Sequence, residues 1–151
     1  VILVNKWDLV EKETNSTKVF EEGIKRKIAP FTDVPIIFTS VTTKQRIHKA
    51  LEITLEVYNN RTKKVPTSQL NKILLPLIEQ TPPPASRGRM VKIKYITHLP
   101  THTPSFAFFC NNPQHVQESY KRFLENKIRD NFDFRGVPIS IFFRSKDGND
   151  E

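Results

Sequence analysis

Val1–Asp8 reads VILVNKWD, and Val34–Val41 reads VPIIFTSV. Each is a run of apolar, largely β-branched residues that stops on short polar groups. Val1–Val4 is apolar on both faces, which predicts a fully buried strand. The second run begins with Pro35 in its first turn and ends at Thr39-Ser40, predicting another. Between them Asn15-Ser16-Thr17 supplies helix N-cap residues, and Phe20, Ile24 and Ile28 follow at helical spacing before Pro30 stops the helix. After the second run Ile47, Leu51, Leu55 and Tyr58 form one stripe of a further helix, which finishes near Asn59-Asn60-Arg61. Strand, helix, strand, helix with short connections predicts a parallel α/β sheet. Ligands in such sheets sit beyond the carboxyl ends of the strands, where NKWD and TSV would lie side by side.

The pattern changes after Lys63-Lys64, which places a domain boundary there: residues 1–64 and residues 65–151. In TSQLNKILLPLIEQ, Leu70, Ile73, Leu74 and Leu77 have helical spacing, with Thr67 or Ser68 as cap and Pro76 expected to bend or shorten the helix. TPPPASRGR is a loop. MVKIKYIT sets Val91, Ile93 and Tyr95 against Lys92 and Lys94, a half-buried strand with a basic outer face. SFAFFCN is its expected antiparallel neighbour. NPQHVQESYKRFLENKIRDNF predicts a helix with Pro113 near its start and Val116, Tyr120, Phe123 or Leu124, and Ile128 inward. VPISIFFR alternates Val137, Ile139, Ile141 and Phe143 as a last strand. The second half is therefore a small α+β layer pair, and the fold class is α/β plus α+β.

Composition narrows the function. The chain of 151 residues has net charge +8, distributed unevenly: residues 1–60 balance at +1 and residues 61–151 at +7. A basic second half favours an acidic partner, RNA ahead of membrane. No segment reaches the roughly 18 apolar residues of a membrane span. Cys110 is the single cysteine, so no internal disulfide forms and a reducing compartment is expected. Cys110 itself reads as a small core residue. Pro100 between His98 and His102 rules out a regular helix there. With only Cys110 and His115 nearby, no zinc site is expected.

Asp8, at the lip of the predicted sheet, can accept two hydrogen bonds from one planar edge. Guanine offers that edge through N1–H and its exocyclic amine, and adenine does not. By analogy with base-edge readout, a bidentate pair discriminates by about 1–3 kcal/mol. Asn5 has donor and acceptor atoms for the other base edge, and Lys6 can lay its methylene stem along the base plane. Ser40 and the Val41 backbone N–H can approach the guanine keto oxygen. Trp7 reads as packing.

NKWD after a buried strand, followed by a strand ending TSV, resembles the guanine-specificity motifs of translation-factor-like GTPases. QRIHKALEITLEVYNNR is similar to the last helix of the second G domain in the Der (EngA) family of bacterial tandem-GTPase ribosome-assembly factors. SQLNKILLPLIEQTPPP, KIKYITHLPTHTPSFAFFCNNP and YKRFLENKIRDNFDFRGVPISIFFR resemble that family's C-terminal KH-like domain. The resemblance spans essentially the whole chain. It implies the end of a P-loop GTPase parallel sheet over 1–64 followed by a KH-like domain over 65–151. It also implies GTP/GDP as ligand with Mg²⁺ in the intact protein, a bacterial cytoplasmic location, and contacts with the large ribosomal subunit, its rRNA and the other G domain. The family usually has Ser-Ala where this chain has Ser40-Val41, but the contact invoked there uses backbone.

The chain has no Gly-rich phosphate loop, switch threonine or Asp-x-x-Gly turn, so it is expected to hold only the base-reading end of a nucleotide site. No catalytic residue and no metal ligand are assigned, and no GTP hydrolysis is expected of this stretch alone. Starting inside a strand without Met, it reads as a piece of a longer protein. Its four glycines, Gly23, Gly88, Gly136 and Gly148, contain no Gly-x-x-Gly pair, so the RNA clamp of a nucleic-acid-binding KH domain is missing. Arg87, Arg89, Lys92 and Lys94 remain candidates for rRNA phosphates or for an interdomain surface. An Era-type GTPase with an RNA-binding KH domain and a free-standing RNA-binding module are the alternatives.

Overall fold

The computed structural model describes residues 1–11 and 15–145. Its elements run β1 (Ile2–Val4), α1 (Ser16–Ile28), β2 (Ile36–Phe38), α2 (Ile47–Thr62), α3 (Thr67–Gln80), β3 (Ile93–Leu99), β4 (Ser105–Cys110), α4 (Glu118–Asn131) and β5 (Ser140–Arg144). Single 3₁₀ turns lie at Trp7–Leu9 and Pro113–His115. The chain forms two compact units. One comprises Val1–Arg61 with Arg135–Pro138, and the other Thr62–Phe134 with the residues from Ile139 onward.

In the first unit β1 and β2 pair in parallel, Ile2 with Ile36 and Val4 with Phe38, as the strand–helix–strand reading requires. Burial departs from expectation. Leu3 is 54% exposed, and Leu51, Leu55 and Tyr58 of α2 are each about as open. The helix instead buries Ala50 and Asn60. A two-stranded sheet has too little area to cover both sides of its strands and the apolar stripe of a long helix. Asn60 donates to the Arg135 carbonyl at 3.1 Å, which satisfies its buried amide. Gly136 sits at φ 76, and a Cβ there would fall 2.6 Å from Val57 Cγ2, so only glycine fits that turn.

The second unit is two layers, with α3 and α4 covering one face of a sheet ordered β3-β4-β5. β3 and β4 are antiparallel, and β4 and β5 parallel. Leu70, Leu74 and Ile78 of α3 and Tyr120, Leu124 and Ile128 of α4 recur every fourth residue. Both stripes close over Ile96, Phe106, Phe108 and Ile141. At about 1.5–3 kcal/mol per large side chain buried, this stripe-on-sheet contact is the main source of the unit's stability. α3 runs through Pro76, which lies on its exposed side and does not end the helix there. Pro66 occupies the N-cap position of α3, and Thr67 Oγ1 lies 3.2 Å from Thr97 Oγ1 on β3.

β3 is an edge strand, and a side chain occupies the outer backbone groups of Ile96. Asn71 Oδ1 accepts from Ile96 N at 2.8 Å, while Asn71 Nδ2 donates to Ile96 O at 2.9 Å. The amide thus replaces a neighbouring strand at that residue. The expected alternation along β3 breaks at Lys94. The pairing shifts between Ile93 and Tyr95, so an extra residue enters the strand and Lys94 and Tyr95 both face outward. Ile96, rather than Tyr95, continues the buried side.

His98 stacks on Phe106 with centroids 4.8 Å apart, and its Nδ1 accepts the Val65 N–H at 3.0 Å. That bond requires an unprotonated Nδ1. Burial, followed by the nearby Lys64 charge, pulls the His98 pKa below its ordinary value. The folded state therefore prefers the neutral ring. Its contribution is complete above the unfolded pKa of about 6.5 and fades as pH falls through the lower folded value. Urea unfolding at pH 7 and pH 5 should show a larger acid loss for the parent chain than for His98→Gln, whose amide oxygen can still accept. Equal losses would remove His98 from the account.

Burial pushes the Tyr120 hydroxyl up to about 12, and it donates to Thr81 O at 2.7 Å. Burial likewise raises the Cys110 thiol, which is 1% exposed. No helix among the described residues is long and apolar enough to cross a membrane.

Candidate functional site

The parallel pairing of β1 and β2 continues past both strand ends. Thr39 N donates to Val4 O at 2.8 Å, and Trp7 N donates to Thr39 O at 3.0 Å. These bonds carry Asn5–Asp8 alongside Thr39–Val41. The two polar motifs therefore share the carboxyl end of the sheet. Asn5, Lys6 and Asp8 are exposed, and Val41 is 67% exposed.

Trp7 faces the other way. It is 3% exposed and packs 4.4 Å from Phe38 and edge-on to Phe20 at 5.3 Å, measured between ring centroids. The indole anchors the loop from below while its neighbours stay open to solvent. Leu9 N donates to Lys6 O at 3.1 Å and closes the 3₁₀ turn. Lys6 adopts φ 58, ψ 33, a left-handed conformation that costs a residue with a Cβ about 1–2 kcal/mol. Lys44 and Arg46 in the adjoining loop are left-handed as well, at φ 57 and 56. Strain of this kind gathers where a binding loop is held by its surroundings.

Ser40 differs from the sequence expectation in how it acts. Its side chain is fully buried, and its Oγ accepts Thr43 N at 3.2 Å. Ser40 N donates to Gln45 O and Gln45 N to Ser40 O, at 3.3 and 2.9 Å, closing a tight loop over residues 40–45. The hydroxyl therefore shapes the loop that presents the Val41 backbone. Thr43 has no signal in the sequence, because its partner is a side chain turned inward. No cluster of three or more His, Cys, Asp or Glu stands together among the described residues.

A cleft of about 310 Å³ opens at the other end of β2, lined in part by Asp33, Pro35 and Arg135. Its Glu21 and Lys25 pair with each other at 2.6 Å, and Arg135 pairs with Glu56 at 3.6 Å. Those charges are answered internally, and the cleft lies at the opposite end of β2 from Asn5–Asp8.

Of the basic candidates, Arg87, Arg89, Lys92 and Lys94 are all exposed. They belong to the second unit, in the turn before β3 and on β3 itself.

Residues 64–144 match the family described as the KH-domain-like region at the C-terminus of EngA bacterial GTPase enzymes. Proteins named GTPase Der are similar along almost the entire chain. That of Christiangramia forsetii is 62% identical over 146 residues, covering 97% of this chain and 34% of the relative. That of Flavobacterium johnsoniae is 60% identical over 146 residues, covering 97% and 33%. That of Porphyromonas gingivalis is 55% identical over 147 residues, covering 97% and 34%. The chain thus spans about a third of the length of the curated relatives it matches. With a helix–strand–strand–helix–strand unit over the matched residues, the chain belongs to the EngA family and carries its KH-like C-terminal domain.

Proposed function

We propose that this chain contributes the base-reading end of a GTP/GDP site and a KH-like module to a ribosome-assembly GTPase working in the bacterial cytoplasm. The observation that carries the reading is the Trp7 N to Thr39 O bond, which brings Asn5–Asp8 and Thr39–Val41 to one strand end. Asp8 accepts the N1–H and the exocyclic amine of guanine, Asn5 meets the other base edge, and the Lys6 stem lies along the ring. Ser40 holds the loop in which Val41 N–H reaches the keto oxygen. The nucleotide's phosphates and Mg²⁺ have no ligands in this stretch, so hydrolysis belongs to residues elsewhere in the intact protein. The exposed Leu3, Leu51, Leu55 and Tyr58 are then covered by the remainder of the G domain. The KH-like module contacts the large ribosomal subunit and the other G domain.

Asp8→Asn in the intact protein tests the base reading. An amide cannot accept both guanine hydrogens, so GTP affinity should fall roughly 5- to 150-fold, the equivalent of about 1–3 kcal/mol. Preference should move towards xanthine nucleotides, which offer a carbonyl at that edge. Unchanged selectivity in a nucleotide-competition assay would sink the assignment.

A further inference from the structure

Between Glu79 and Glu118 the sequence contains no Asp or Glu, yet Arg87, Arg89, Lys92 and Lys94 fall close together within it. On α4 the cations Lys121, Lys127 and Arg129 pair with Glu118, Asp130 and Glu125 of the same helix. No ion pair reaches Arg87, Arg89, Lys92 or Lys94 among the described residues. Their charge is therefore directed outward.

The backbone beneath them is fixed. Ser86 and Arg89 exchange two hydrogen bonds, each 3.0 Å, around a two-residue turn. Arg87 and Gly88 both have positive φ, at 50 and 73. Such turns favour Asn-Gly or Asp-Gly, so arginine in the first position is conformationally costly and places a cation at the tip. Beyond the turn, Asn111 and Asn112 donate to Met90 O at 3.1 and 3.0 Å, and Asn111 Oδ1 accepts Lys92 N at 2.8 Å. The irregularity at Lys94 then turns both Lys94 and Tyr95 outward.

Tyr95 lies flat against Phe109 of β4, with centroids 4.3 Å apart and planes 2° apart. Phe109 covers one ring face. Because β3 is the edge strand, the other face of this 40% exposed residue looks away from the sheet. A row of preorganised cations beside an aromatic face open on one side matches a strand that alternates phosphate and base. An acidic peptide would use the cations and leave the ring without a partner of its own shape.

We propose that the Arg87–Tyr95 edge binds single-stranded RNA, with Arg87, Arg89 and Lys92 on phosphates and one base stacked on Tyr95 as a third layer over Phe109. A paired base is unavailable for that stack, so the site selects unpaired strands. The proposal deepens the reading that the KH-like module contacts the large ribosomal subunit, and rests on it.

Fluorescence anisotropy with the intact protein, a twelve-nucleotide single-stranded RNA and its duplex, over a salt series, tests the edge. Tyr95→Ala should weaken single-strand binding about 5- to 150-fold with the salt slope unchanged, and Tyr95→Phe should restore it. Arg87→Ala with Arg89→Ala should reduce the salt slope by about 1.4, near 0.7 for each phosphate no longer neutralised. The proposal is overturned if Tyr95→Ala binds like the parent, if Tyr95→Phe fails to rescue, or if duplex binds as tightly as single strand. It is likewise overturned if polyglutamate displaces the RNA at equal concentration. Binding that persists but ignores these substitutions removes only the edge, whereas no binding by the parent protein removes the RNA reading itself.

Discussion

Trp7→Ala is expected to destabilise the first unit by about 3–5 kcal/mol, the range for removing a large aromatic ring from a packed site. Trp7 is the only tryptophan in the chain, and its packing on Phe20 and Phe38 makes up much of a small core. The effect reaches beyond packing. Asn5, Lys6 and Asp8 depend on this ring to hold their turn at the end of β1, and Lys6 stays left-handed only while its surroundings enforce it. On the base reading proposed above, guanine-nucleotide affinity in the intact protein should therefore fall with stability, even though the indole is buried away from the exposed Asn5, Lys6 and Asp8. Urea unfolding followed by far-UV circular dichroism measures the first effect, and nucleotide titration the second. Trp7→Phe should recover part of both. A change in stability within about 0.5 kcal/mol, the usual range for a surface substitution, would mean the ring is not the anchor.

Phe106→Ala should cost the second unit a comparable amount, about 3–5 kcal/mol. Phe106 is fully buried in the central strand, stacks under His98, and meets Phe134 edge-on at 5.6 Å. Its removal opens a void between the sheet and the two helices. It also takes away the surface against which His98 is oriented to receive Val65 N–H. Amide exchange should accelerate at Thr97 and Ala107, which face each other across β3 and β4. Phe106→Leu, which keeps most of the volume, should lose less. Equal protection in the parent and Phe106→Ala would contradict a core centred on β4.

How much of this was legible from residues alone depended on where each side chain's partner lay. Leu70 and Leu74 of α3, and Tyr120 and Ile128 of α4, could be read because both helices bury against a sheet encoded a few residues away. The α3 stripe nevertheless continues through Ile78 and not through the expected Ile73 and Leu77, which are half-buried. The stripe Leu51–Leu55–Tyr58 was equally periodic and pointed outward. Periodicity identifies an apolar face without saying whether anything nearby is large enough to cover it. The Lys94 shift carried no glycine or proline to mark it, so strict alternation placed Tyr95 on the wrong side. Asn71 on Ile96 and His98 on Val65 are pairings across 25 and 33 positions, and no local pattern encodes them. At the candidate site, Asn5, Lys6, Asp8 and Val41 were nameable because a strand end followed by polar residues is a local signal. The inward turn of the Ser40 hydroxyl to Thr43 was not.

Cys110 has a practical corollary for anyone wishing to attach probes. A thiol sealed in the interior, with its ionisation displaced upward, reacts slowly with maleimides and iodoacetamides, whose attack needs the thiolate. New cysteines introduced at solvent-facing positions such as Lys92 or Lys44 should therefore take up dye selectively in the otherwise native chain. Pairs of such labels would allow spectroscopic distances to be followed without first deleting the natural sulfur.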